Sequence, residues 1–193
     1  KAREEIERLE TGMVYERTLS SELAKGRSKY LGSGKWDHTQ IATDALKLAA
    51  DTADDFGLLS KSGLRLIAHA RVALRIRAEL VKPDWKGLVA VLDGVAAAGG
   101  VEESAEEVGA ARSELNDECT QREAALETAL GVGRVQRLGE GRWDHGLLQT
   151  SHILGAQKLL QSFPSSTDRG EALLARTAFV VELRGTLEGC DWE

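Results

Sequence analysis

Proline is almost missing from this chain: it occurs twice in 193 residues, and asparagine occurs once, at Asn116. Aromatic residues contribute 5 %. Runs of β-branched residues are scarce, and no segment alternates with period two for long enough to predict a strand. With Ala and Leu plentiful, this is the balance of an all-helical protein. The two cysteines, Cys119 and Cys190, form no C-x-x-C pair and no disulfide framework, which points to a reducing, cytoplasmic setting. No apolar run approaches the roughly 18–20 residues that span a bilayer, and no secretory leader is visible, so no membrane partner is expected. Basic charge is also short. The net charge is −6, distributed as +2 over residues 1–96 and −8 over residues 97–193. Such an acidic chain is a poor nucleic-acid binder.

Glycine is abundant at 20 residues, many of them between apolar periodic segments, where helices end. The dominant feature is a duplication. "LGSGKWDH" at 31–38 returns as "LGEGRWDH" at 138–145, and a shift of 107 aligns residues 19–85 with 126–192 without a gap, giving 20 identities in 67 positions. Leu23/Leu130, Gly26/Gly133, Arg27/Arg134, Arg77/Arg184 and Asp84/Asp191 are among the matches. A finer period runs inside it: Trp36, Trp85, Trp143 and Trp192 are spaced by 49, 58 and 49 residues, each beside an aspartate.

These Trp–Asp sites read as corners of a helical array: Trp36 with Asp37, Asp84 with Trp85, Trp143 with Asp144, and Asp191 with Trp192. Asp37 is expected to cap a helix, with Trp36 and Ile41 closing a hydrophobic staple; Trp143 and Leu148 repeat the arrangement. Asp84 is expected to cap a helix that Trp85 begins. The periodicity predicts seven helices, at about 2–25, 38–54, 60–81, 85–97, 102–130, 145–161 and 166–188. Residues 1–100 form a first repeat with the Trp36 and Trp85 corners. Residues 101–193 form a second with the Trp143 and Trp192 corners, the two packed as one continuous array. The pattern is similar in kind to α-solenoids built from helical hairpins, although the unit of 49–58 residues exceeds the named helical repeats. An elongated antiparallel bundle is the alternative. The ends of the chain do not respect the repeat, so part of a larger protein is expected.

Few residues carry the patterns of catalysis. "GRSKYLGSGKW" fails as a phosphate loop, because Lys29 and Trp36 stand where glycine and Ser/Thr are required. Asp37–His38 and Asp144–His145 are too few ligands for a zinc site, so no metal and no cofactor is expected. Cys119 lies among Glu114, Asp117, Glu118 and Glu123, which disfavours a thiolate nucleophile. The chain is therefore read as a non-enzyme. Charge stripes remain. One helix carries Arg65, Arg71, Arg75 and Arg77, and the 102–130 helix is rich in glutamate. Their rims should pair with each other, or the arginines should face an acidic protein partner. The leading expectation is a protein–protein interaction, scaffold or spacer module, cytoskeletal or signalling. The alternative is a regulatory domain holding a small ligand in grooves near the Trp–Asp–His corners.

Overall fold

Helix α1 (Ala2–Leu23) opens the computed structural model, which describes residues 2–57, 60–95 and 105–188. A hairpin of β1 (Lys29–Gly32) and β2 (Lys35–Asp37) follows, then α2 (Asp44–Phe56), α3 (Lys61–Val81), α4 (Trp85–Gly94) and α5 (Glu106–Gly131). A second hairpin, β3 (Gln136–Gly139) and β4 (Arg142–Asp144), leads into α6 (Ser151–Gln161) and α7 (Asp168–Glu188). The protein is all-α, with seven helices among the described residues and two small strand pairs.

The strand pairs correct the expectation that no strand would form. They are too short for alternation to reveal. Glycine placement makes them instead. Ser33 and Gly34 form a two-residue loop with φ of 51° and 72°, and Glu140 and Gly141 repeat it at 49° and 77°. Positive φ at both central positions is the pattern of the type I′ turn, whose twist suits a tight antiparallel hairpin. The register is the same in both copies: Tyr30 pairs with Trp36 and Arg137 with Trp143.

The hairpins also displace two helix starts. α2 begins at Asp44, not near 38, and α6 at Ser151, not near 145. Asp37 caps no helix. Its Oδ1 accepts from the Thr39 backbone at 2.9 Å and the Thr39 hydroxyl at 2.6 Å, a local turn. Asp144 accepts from the Gly146 amide at 2.8 Å. A carboxylate two residues before a free amide serves an Asx turn as well as a cap, and the preceding strand decides which. The residues before α2 and α6, Thr43 and Thr150, make no side-chain cap bond. Asp84 does cap, accepting from the Lys86 and Gly87 amides at 3.1 and 3.2 Å, and Trp85 begins α4.

The structure divides into two units, Lys1–Leu115 and Asn116–Glu193, within α5. The boundary at 100/101 read from the sequence lies outside the described residues. In the first unit α3 buries two faces. Ile67, Ala70 and Ala73 pack with Leu19 of α1 and with Leu46, Ala50 and Ala53 of α2. Val72, Ile76 and Leu80 pack with Leu88, Val91 and Leu92 of α4 and with Val108 and Ala111 of α5. Alanine at the crossings lets the backbones approach, and truncating a buried leucine here costs about 2–5 kcal/mol. In the second unit Leu126, Ala129 and Leu130 of α5 pack with Ile153 and Leu160 of α6 and Leu173 of α7.

Candidate functional site

The duplicated hairpins are held by a pair of buried arginines. Arg77, on α3, is 1 % exposed. Its Nη1 donates to the Ala42 carbonyl at 2.9 Å and its Nη2 to the Leu23 carbonyl at 3.0 Å, so one guanidinium ties the end of α1 to the approach of α2. Arg27 Nε donates to the same Leu23 carbonyl at 2.8 Å. Between them Gly26 turns the chain at φ 61°, and its carbonyl accepts from the Ala42 amide at 3.1 Å. A planar guanidinium suits this task because its donors form a fixed fork, and carbonyls left by ended helices need partners.

The second copy repeats the joint at the equivalent carbonyls and adds one acceptor, Val132. Arg184, 5 % exposed, donates to Gln149 O at 2.8 Å, Leu130 O at 3.3 Å and Val132 O at 3.0 Å. Arg134 Nε donates to Leu130 O at 3.1 Å, and Gly133 turns at φ 62°. Burial, then the neighbouring positive charge of Arg134, lowers the pKa of Arg184 from its ordinary value.

The copies differ in charge balance. In the first, α5 supplies carboxylates: Glu107 Oε1 lies 2.9 Å from Arg77 Nε, Glu107 Oε2 3.1 Å from Arg27 Nε, and Glu106 2.6 Å from Arg27 Nη1. The Arg27 bond holds the Glu106 carboxyl below its usual range. Glu114, 2 % exposed, accepts from His38 Nε2 at 2.7 Å. In the second, Arg184 hydrogen-bonds to backbone carbonyls, and Arg134 makes no ion pair among the described residues.

The residues picked from the sequence fall into several places. Trp36 is half-buried on β2, its ring 4.9 Å from that of Tyr30. Trp143 is 51 % exposed on β4, so the two corners are not equivalent. Neither closes the expected staple, because each lies on a strand. Trp85 packs partly buried on the α3–α4 core. Asp191 and Trp192 lie outside the described residues, as does Cys190. Arg65, Arg71 and Arg75 are exposed on α3, and Arg71 pairs with Asp54 of α2 rather than with α5. With Leu64, 59 % exposed, and Ala68, Arg71 and Arg75 line a shallow groove of about 340 Å³. Arg77 does not belong to that face: it points inward and its fork is filled. The corner reading overlooked Gly26, Arg27 and Arg77 as the joint itself, although all three were among the duplicated identities.

Cys119 is 2 % exposed, with its sulfur 3.7 Å from Glu123. Burial, then that carboxylate, raises the thiol pKa. Among the described residues no cluster of three or more His, Cys, Asp or Glu is placed to hold a metal, and no helix is long and apolar enough to cross a membrane.

Fold and joint together define an all-α chain in which one helix–hairpin–helix corner is used twice. Over 96 residues, 49 % of this chain, the sequence is 33 % identical to part of the high molecular weight form of myosin-1 of Acanthamoeba castellanii. That stretch is 6 % of the myosin, so the similarity reaches a small part of the relative's length. No protein-family model and no solved structure matches the chain.

Proposed function

We propose that this chain is a non-catalytic, protein-binding scaffold or spacer region of a larger cytoskeleton-associated protein in the cytoplasm. The observation that carries this reading is the buried-arginine joint built twice from the same residues. Such a corner turns one helix into the next at a fixed geometry, which is what a repeat array needs in order to present an extended surface. The partial similarity to a myosin supports the cytoskeletal setting. The exposed arginines 65, 71 and 75 beside Leu64 supply a face for an acidic protein. The small-ligand reading has less behind it, because His38 and Asp37 are already engaged by Glu114 and Thr39.

Co-sedimentation of the full chain with purified actin filaments, and separately with microtubules, tests the proposal. The expected result is saturable binding to one of them that weakens at least tenfold when Arg65, Arg71 and Arg75 are replaced by glutamate. Binding to neither polymer would remove the cytoskeletal part of the reading.

A further inference from the structure

Among the described residues, two buried side-chain atoms have no hydrogen-bond partner: His69 Nε2 and Glu107 Oε2. Both residues line one cavity of about 330 Å³, set between the end of α1, the middle of α3 and the start of α5. Buried polar atoms are nearly always bonded in folded proteins, so two orphans at one cavity point to a ligand. Glu107 Oε2 does lie 3.1 Å from Arg27 Nε, but that N–H donates to the Leu23 carbonyl at 2.8 Å. The contact is ionic and leaves the oxygen open to a donor.

The arginine joint does not require this pair. At the equivalent position of the second copy His69 is replaced by Arg176, and Ser20, which also lines the cavity, by Glu127. Arg184 still grips its three carbonyls there. His69 is thus a feature of the first copy and not of the shared corner.

The lining dictates the ligand's chemistry. A carboxylate accepts and cannot donate, so the ligand must bring N–H or O–H groups. A charged donor bonds it about twice as strongly as a neutral one. The His69 imidazole accepts the same kind of donor at Nε2 in one of its tautomers. Leu23, Val72 and Val108 supply an aliphatic wall. The volume is at the lower end of the roughly 300–1,000 Å³ of small-molecule sites, which limits the ligand's size. A metal ion does not fit, because no group of three or more His, Cys, Asp or Glu is placed to hold one among the described residues.

We propose that this cavity binds a small primary alkylammonium. Its N–H groups reach Glu107 Oε2 and His69 Nε2, and its chain lies against Leu23, Val72 and Val108. A free amine and a lysine side chain share this chemistry. The site uses none of arginines 65, 71 and 75 and does not depend on the protein-binding reading.

The probe is n-butylammonium, titrated into the full isotope-labelled chain and followed by NMR. Saturable shifts of the His69 ring nitrogens and the Glu107 carboxyl are expected. Tetramethylammonium carries the charge without an N–H, and n-butanol carries a donor without the charge. Each should bind more weakly by at least about threefold, the loss of one hydrogen bond or its charge. These comparisons leave Glu107 untouched, which matters because it also holds Arg77. His69→Phe keeps a ring in place and removes the nitrogen. It should weaken n-butylammonium by a similar factor, with unchanged circular dichroism as the check on folding. A blocked Gly-Lys-Gly peptide is the second arm. Tighter binding than n-butylammonium supports the site with a lysine side chain as its source, and weaker binding supports it with a free amine. No shift at His69 up to about 100 mM n-butylammonium would overturn the proposal and leave the two atoms to a bridging water. Equal binding of tetramethylammonium, or binding that His69→Phe leaves intact, would overturn it too.

Discussion

Arg77 and Arg184 stand 107 residues apart, and each ends its guanidinium on the carbonyls of the same two joint positions, Leu23 and Ala42 in one case and Leu130 and Gln149 in the other. Two buried cations doing one structural task make the joint testable by paired substitution. Arg77→Met strands the Ala42 carbonyl and leaves the Leu23 carbonyl and the Glu107 carboxylate with Arg27 alone, and should destabilise the first unit by about 3–5 kcal/mol, the range for breaking a buried pair. Arg184→Met strands carbonyls alone, and about 1–3 kcal/mol is expected. Urea denaturation followed by circular dichroism measures both, and equal losses would show that Glu107 contributes nothing.

The joint glycines give a second test. A Cβ at Gly26 would meet the Ala42 Cβ at 2.8 Å, and one at Gly133 the Gln149 Cβ at 2.8 Å. Both residues also hold positive φ. Gly26→Ala and Gly133→Ala should each cost about 1–3 kcal/mol. Gly32→Ala is strained only through its φ of 94°, with nothing within 4 Å, and should cost less. Thermal melts rank the three.

Trp36→Ala should destabilise more than Trp143→Ala. The first loses a half-buried ring packed on Tyr30; the second loses one that is 51 % exposed and faces Arg137 across the hairpin. Aromatic pairs of this kind contribute about 0.5–1.5 kcal/mol beyond burial, which sets the expected difference. Parallel denaturation curves of the two variants check it.

Cys119 should resist alkylation. A raised thiol pKa keeps it protonated at pH 8, and burial blocks the reagent. Iodoacetamide labelling read by peptide mass spectrometry should be slow in the folded chain and fast in urea. Rapid labelling without denaturant would mean that α5 opens there.

Asp37 carries a pH signature. The Thr39 hydroxyl and amide lower its pKa below 3.8. A depressed folded pKa contributes stability above the unfolded value, and that contribution is lost as pH falls through the folded one. The Asp37 carboxyl resonance should therefore titrate below pH 3.8 in the wild type, and closer to that value in Thr39→Ala.

Helix content and order were legible because they rest on long-range periodicity, as in α3, where Leu66, Ala70, Ala73 and Leu80 recur at helical spacing. The hairpins were not, because strands of three and four residues carry no pattern, and "GSGKWD" reads equally well as a helix stop followed by a cap. The second apolar face of α3 was hidden for a related reason: Val72 and Ile76 look like the continuation of one stripe until α4 packs on them. Arg77 shows the sharpest limit. As a letter it belongs to a basic stripe with Arg71 and Arg75, and only the fold turns it inward. Its repetition at Arg184 was the available clue, since an exposed charge has no structural need to recur at the same register.

The two-residue turns at Ser33–Gly34 and Glu140–Gly141, each followed back along the first strand by a register shift at the same place, fix the two hairpins alike. One residue inserted into either strand would exchange its inward and outward sides and carry Trp36 or Trp143 to the opposite face. The distance from the end of one helix to the carbonyl that the buried arginine must reach is thus set by counting residues. The corner acts as a ruler, which explains why two copies with so many substitutions between them still align there without a gap.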